Sequence, residues 1–189
     1  MSFFSNKVVI VTGSSNGIGR GTAVLFAKQG AKVTITGRNA VTLKVCHRPR
    51  FSIIQNLTFS QETKDLCTQA GAQEDDILEV LISSEKENVQ VNNAGGASMG
   101  NFGKGIMDVP IAEFDQMIEL NVKSVLRLSQ LSVPHLVKTK GAIVNVSSIA
   151  AYHKTNPMPY YSAAKAALDQ ITIQMAGSLI KKGIRVNSV

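Results

Sequence analysis

The stretch Lys7–Gly37, "KVVIVTGSSNGIGRGTAVLFAKQGAKVTITG", decides the fold. Residues 7–13 form a continuous β-branched run ended by glycine, the mark of a strand buried on both faces. The residues after it place Ile18, Ala23, Leu25, Phe26 and Ala27 so as to suit a helix packed on a sheet. Gly30 stands where a helix C′ residue is wanted, and Ala31–Gly37 is a second buried strand. Together these predict one βαβ unit. The turn inside it, "TGSSNGIG", carries Gly13, Gly17 and Gly19. Glycines permit a tight turn and close backbone approach, and the helix N-terminus beyond offers free N–H groups and partial positive charge to a pyrophosphate. A dinucleotide site is expected here.

Working outward, 189 residues with 44% hydrophobic and 17% charged residues predict one globular domain. The net charge of +7 comes from scattered residues. Its one cluster, Lys44–Arg50, has no interleaved aromatics, so no nucleic-acid partner is expected. No apolar run approaches the roughly 20 residues that cross a bilayer. The start lacks a secretory n-region and h-region, and Cys46 and Cys67 form no metal spacing, which together suit a cytoplasmic location. His135 and His153 likewise form no metal spacing.

Further along, Asp76–Ile82 ("DILEVLI") reads as a third strand, preceded by a helix in "ETKDLCTQAGA", and "VQVNNAG" reads as a fourth strand. Residues 111–138 read as a long helix in which Phe114, Ile118, Asn121, Val125 and Leu128 form a stripe, apolar except for the asparagine. Gly141–Ser148 is a buried strand, residues 159–183 a helix closed by lysines and Gly183, and "IRVNSV" a sixth strand. Strands alternating with helices predict an α/β fold with a doubly wound parallel sheet.

Three features carry chemistry. Tyr161 and Lys165 lie at i and i+4, on one helical face. An ammonium about 4 Å from a phenol favours the phenolate by roughly 4 kcal/mol at an effective dielectric near 20, which suits a tyrosine for proton transfer to or from a substrate oxygen. Ser148 precedes Tyr161 by 13 residues at the C-terminal end of a strand, where ligands bind in such sheets. Ser147 points to the opposite face and is the weaker candidate. A buried Asn121 must find polar partners. Finally, the second strand ends at Gly37-Arg38 with no acid for a ribose 2′-hydroxyl, whereas Arg38 suits a 2′-phosphate; NADP(H) is favoured over NAD(H).

The spacing Gly13-x-x-x-Gly17-x-Gly19 resembles the TGxxxGxG turn of the short-chain dehydrogenase/reductase family, and Val91–Gly95 ("VNNAG") resembles its NNAG turn. Asn121, Ser148 and the Tyr161/Lys165 pair follow in the family's order. The resemblance implies a Rossmann-like sheet of order 3-2-1-4-5-6. It implies cofactor contacts from Gly13, Ser15, Asn16, Gly17, Ile18, Gly19, Arg38, Asn92, Ala94, Gly95, Tyr161 and Lys165. It further implies an oxidoreductase that moves hydride between NADP(H) and a small alcohol or ketone. In it Tyr161 is the acid/base, Lys165 its modulator, Ser148 the anchor of the substrate oxygen and Asn121 the holder of a relay water. Homo-oligomers through the helices at 111–138 and 160–182 are implied as well.

Three departures stand against the family pattern. Family members continue past "RVNSV" to a substrate loop and a seventh strand. Val45–Gln61 reads as an insertion without sustained period. The link from Ile82 to the fourth strand reads as too short: about five residues reach roughly 18 Å, whereas a return across three strand positions spans about 14 Å laterally and climbs about 17 Å. A helix is therefore expected to be missing near Gln90, as in a mis-spliced product, and the alternative reading is a non-catalytic fragment retaining at most nucleotide binding.

Overall fold

A computed structural model describes residues 3–5, 7–37, 51–55, 88–153 and 157–189. Six parallel strands form one sheet: β1 (Val8–Val11), β2 (Lys32–Gly37), β3 (Phe51–Gln55), β4 (Asn88–Asn92), β5 (Ala142–Asn145) and β6 (Arg185–Ser188). Their order is β3-β2-β1-β4-β5-β6, as the family resemblance implies. The helices are α1 (Gly17–Lys28), α2 (Ile111–Ile118), α3 (Ser124–Thr139) and α4 (Pro159–Leu179).

The sheet is buried on both faces because successive side chains of a strand point to opposite sides. In β1, Val9 and Val11 join Ala23 of α1 together with Val33, Ile35 and Val91. Ile10, between them, packs on the other face against Leu128 of α3. A second cluster, Leu136, Ile143, Leu179, Ile184 and Val186, seats α3 and α4 on β5 and β6. Each fully enclosed valine, leucine or isoleucine contributes about 1.5–3 kcal/mol. Beside that cluster, under α3 and α4, runs a chain of buried polar side chains. Gln90 donates to Asn92 and Ser129, Asn92 to Asn145, and Asn145 to Thr172, at 2.8–3.1 Å.

The third strand is a correction. The edge place beside β2 belongs to Phe51–Gln55, paired from Val33↔Phe51 to Gly37↔Gln55, inside the segment read as an insertion. Pro49 and the absence of a long period hid it, but an edge strand needs only a few residues, and "FSIIQ" supplies them. Asp76–Ile82, read as the third strand, lies outside the described residues, as do Lys44–Arg50 and both cysteines. The connection from β3 to β4 is thus residues 56–87, and the short-reach argument, counted from Ile82, loses its premise. A parallel crossover of a dozen or more residues fits in that length.

The long helix read over residues 111–138 is interrupted. Residues Glu119–Lys123 form a π-helical turn between α2 and α3, with Asn121 at its centre. One extra residue is accommodated there, and such bulges recur at functional sites.

Candidate active site

All the strands point their C-terminal ends to one edge, where the loops after β1, β4 and β5 meet. After β1, Gly13 (φ +63°) and Gly17 (φ +54°) adopt left-handed backbone that other residues rarely accept. A Cβ on Gly13 would lie 2.8 Å from the Ala94 Cα, so the glycine turn and the asparagine turn are in backbone contact. Gly17 faces open space. Asn16 is the N-cap of α1, no acid occupies the first turn, and Ile18 stands exposed beside it. The result is a helix N-terminus with free N–H groups and an open glycine cradle, which fits a pyrophosphate. Ser15 is half-buried against Gly37: a Cβ there would meet the Ser15 Oγ at 2.9 Å. Arg38, the expected 2′-phosphate partner, lies outside the described residues.

Two residues outside the sequence-derived set stitch the turns together. The Thr12 hydroxyl accepts from the backbone N–H of Asn93 and of Ala94, at 3.0 and 2.9 Å. The Asn93 amide donates to the carbonyls of Thr12 and Gly13, at 2.9 and 3.1 Å. Their place within the two motifs was the available signal. Asn92, by contrast, was expected among the cofactor contacts and is enclosed instead. Its amide donates to Asn145 and accepts from Gln90 beneath α3, so its side chain belongs to the scaffold. Strand alternation explains the difference, because Asn92 and Asn93 point to opposite sides.

The asparagine turn also approaches the π turn. Asn121 is 0% exposed. Its Nδ2 donates to the carbonyls of Met117 and Gly96, each at 3.0 Å, and its Oδ1 accepts from the Gly96 N–H at 3.1 Å. The sequence expectation of a buried asparagine with polar partners holds in this geometry. A Cβ on Gly95 would stand 2.8 Å from Asn121 Oδ1 and 3.3 Å from Lys165 Nζ, which brings the tips of both side chains to one glycine.

Lys165 comes from α4 and is 4% exposed. Its ammonium donates to the Val146 carbonyl at 2.8 Å and lies 5.7 Å from the Tyr161 ring centroid. Burial pushes the Lys165 pKa below the ordinary lysine value, and the negative charge of Asp169 opposes that shift. β5 ends at Asn145, three residues short of Ser148, although the chain stays extended: Ser147 N–H donates to the Val189 carbonyl at 2.7 Å. Ser148 then caps a 3-10 turn over Ile149–Ala151, its Oγ accepting from the Ala150 N–H at 3.1 Å, which leaves the hydroxyl hydrogen free to donate. Tyr160, next to Tyr161, is engaged elsewhere. Its hydroxyl donates to the Val109 carbonyl at 3.1 Å, and its ring meets Phe114 edge to face. The structure thus gathers Asn121, Lys165, Gly95 and the Tyr161 ring around one point, with the Ser148 turn next to α4.

A parallel sheet of this order with a glycine-rich turn leading into α1 defines a dinucleotide-binding Rossmann-type protein. The sequence matches the profile of the short chain dehydrogenase family over residues 7–189, and the chain belongs to that family of oxidoreductases. An uncharacterised oxidoreductase of Staphylococcus epidermidis is 30% identical over 190 residues, spanning 100% of this chain and 78% of that protein. Among solved structures, a Caenorhabditis elegans short-chain dehydrogenase/reductase of unknown function, determined with cofactor, is 40% identical with a TM-score of 0.74, covering 98% of this chain and 69% of its own. L-sorbose reductase of Gluconobacter frateurii, in complex with NADPH and L-sorbose, is 30% identical with a TM-score of 0.82, over 100% of this chain and 70% of its own. Family membership carries binding of NAD(P) and small-molecule substrates. No helix among the described residues is long and apolar enough to cross a membrane.

Proposed function

We propose that the chain is an NADP(H)-dependent carbonyl reductase, moving hydride between the cofactor and an alcohol/ketone pair. The observation that carries this reading is the seat of Lys165: a buried ammonium anchored on the Val146 carbonyl and held over Tyr161, beside Asn121. Gly13, Ser15, Asn16, Gly17, Ile18 and Gly19 would hold the pyrophosphate end and Ala94 and Gly95 would line the path towards the nicotinamide, which when bound would supply or accept the hydride. Ser148 donates its free hydroxyl hydrogen to the substrate oxygen and aligns it. Tyr161 gives its proton to that oxygen in reduction and takes it back in oxidation, while the Lys165 charge stabilises the phenolate left behind. Asn121 is the water holder of the relay that refills Tyr161 through Lys165. Preference for NADP(H) follows from the sequence: the residue after Gly37, where β2 ends, is Arg38, and no acid stands there. The sorbose reductase neighbour puts polyhydroxylated ketones among the substrates to try. Exposed Ile111 on α2 and Ile173 on α4 support self-association through the long helices.

The test follows NADPH oxidation with a panel of small ketones that includes L-sorbose. Tyr161→Phe is expected to lower kcat by about 10²- to 10⁴-fold while nucleotide-induced thermal stabilisation persists. Equal rates in the two proteins would refute the assignment, and tighter binding of NADH than of NADPH would refute the cofactor preference.

A further inference from the structure

Lys165 is a buried charge with little around it to hold that charge. The one hydrogen bond its Nζ makes within the described structure goes to the Val146 carbonyl. The asparagine turn brings the backbone of Gly95 near it, and the π turn brings the uncharged Asn121. Glu119 and Lys123 of that turn pair with each other at 3.0 Å in solvent. Among the described residues, the titratable groups near Lys165 are Tyr161 and Asp169 from α4; Tyr152, on the turn after Ser148, lies near Asp169, and His153 follows it exposed.

Asp169 lies one helical turn beyond Lys165 and two beyond Tyr161, so positions 161, 165 and 169 share a face of α4. Both of its carboxylate oxygens are closed off from solvent, and neither has a hydrogen-bond partner. A buried carboxylate left so is costly, and the cost falls when a cation shares its surroundings. Its acceptor oxygens and then its charge raise the pKa of the Tyr152 hydroxyl. That phenol, 77% exposed, stands near the carboxylate but outside the geometry of a completed hydrogen bond. The same charge acts on Lys165 against the effect of burial.

We propose that Asp169 is a positioning residue for the Tyr161–Lys165 pair, its carboxylate supplying the fixed negative charge that keeps Lys165 an ammonium in its buried seat. The proposal rests on the roles given above to Tyr161 and Lys165. A neutral amine at position 165 would still donate to the Val146 carbonyl, yet it would bring no charge to the phenolate. Asp169 thereby sets the upper pH at which the pair works.

The experiment labels the full chain with [ε-13C]lysine and follows the Lys165 resonance against pH, the signal being assigned by its loss in Lys165→Met. In Asp169→Asn the Lys165 midpoint is expected to fall by about half to one pH unit, a three- to tenfold drop in the ammonium-to-amine ratio at a given pH. The alkaline limb of kcat/KM for NADPH-dependent ketone reduction should move by the same amount. Asp169→Glu should restore most of the midpoint, which a merely structural aspartate would not require. An unchanged midpoint in Asp169→Asn overturns the proposal. Should that variant not fold, the wild-type Lys165 resonance decides: it should show a second, smaller inflection as Asp169 ionises, and a single inflection overturns the proposal equally. Wild-type turnover in Tyr161→Phe would remove the catalytic roles instead, while the Lys165 midpoint still settles the charge coupling.

Discussion

Replacing Asn121 by leucine tests whether this side chain holds the π turn against the asparagine turn. Leucine is close to isosteric, so the change removes polarity with little change of shape. Three hydrogen bonds vanish: from Nδ2 to the Met117 and Gly96 carbonyls, and from the Gly96 N–H to Oδ1. At about 1 kcal/mol net for each, their loss amounts to about 3 kcal/mol, and a polar group left buried adds about 1–3 kcal/mol. Burial of the leucine methyls offsets about 1–2 kcal/mol of this. The expected outcome is a loss of about 3 kcal/mol, read as a lower urea midpoint at constant m, with Tm falling by about 6–12 °C for a domain of this size. Asn121→Asp sharpens the test. It keeps an acceptor for the Gly96 N–H, but turns a carboxylate oxygen towards two carbonyls when ionised, so its penalty should shrink as pH falls and the carboxyl protonates. A loss below about 1 kcal/mol for Asn121→Leu would refute the reasoning, because the three bonds would then contribute less than a single ordinary one.

Two further outcomes follow from the same geometry. Gly19→Ala places a Cβ under 3 Å from the Gly13 carbonyl oxygen and the Asn93 amide; it is expected to cost about 1–3 kcal/mol and to weaken NADPH binding at least tenfold by calorimetric titration. Unchanged affinity would count against the glycine turn as the pyrophosphate cradle. Lys165 has a folded pKa below its unfolded value, so the native state binds fewer protons in the interval between the two. Stability therefore rises with pH through that interval, and the penalty of burying the ammonium, full below the folded pKa, has gone above the ordinary lysine value. The stability of wild type relative to Lys165→Met, measured by urea unfolding, should accordingly increase from pH 7 towards about pH 10.5, the unfolded lysine range, and a flat difference would contradict the assigned shift.

The parts of the site legible in the sequence are those whose geometry is local. Tyr161 and Lys165 share a face because four residues make about one helical turn, and the glycine turn declares itself because only glycine accepts left-handed backbone at Gly13 and Gly17 without strain. The stripe containing Asn121 was visible as well. The π turn at Glu119–Lys123 was not, since a single i→i+5 turn leaves no period of its own. Thr12, Asn93 and Asp169 escaped notice for a different reason. Each acquires its meaning from a partner on another element or from enclosure, and spacing along the chain reports neither.

β3 shows the same division at the scale of the fold. Alternating buried strands and helices, read from residues 7–37 and 141–188, were enough to determine a doubly wound parallel sheet, because hydrophobic period and glycine punctuation are properties of contiguous chain, while its strand order came from the resemblance to the short-chain dehydrogenase/reductase family. Which segment fills the edge beside β2 was decided only by pairing. An edge strand is held by hydrogen bonds to a single neighbour, so five residues such as Phe51–Gln55 serve with no strong pattern of their own. The charge state of Lys165 likewise depends on burial and on Asp169, both set when α4 packs on the sheet. The sequence alone determined the family, the sheet and the shared helical face of Tyr161 and Lys165; the tertiary structure decided the edge strand, the bonds of Asn121 to Gly96 and the burial of Lys165, because each of these is a contact between segments that are distant along the chain.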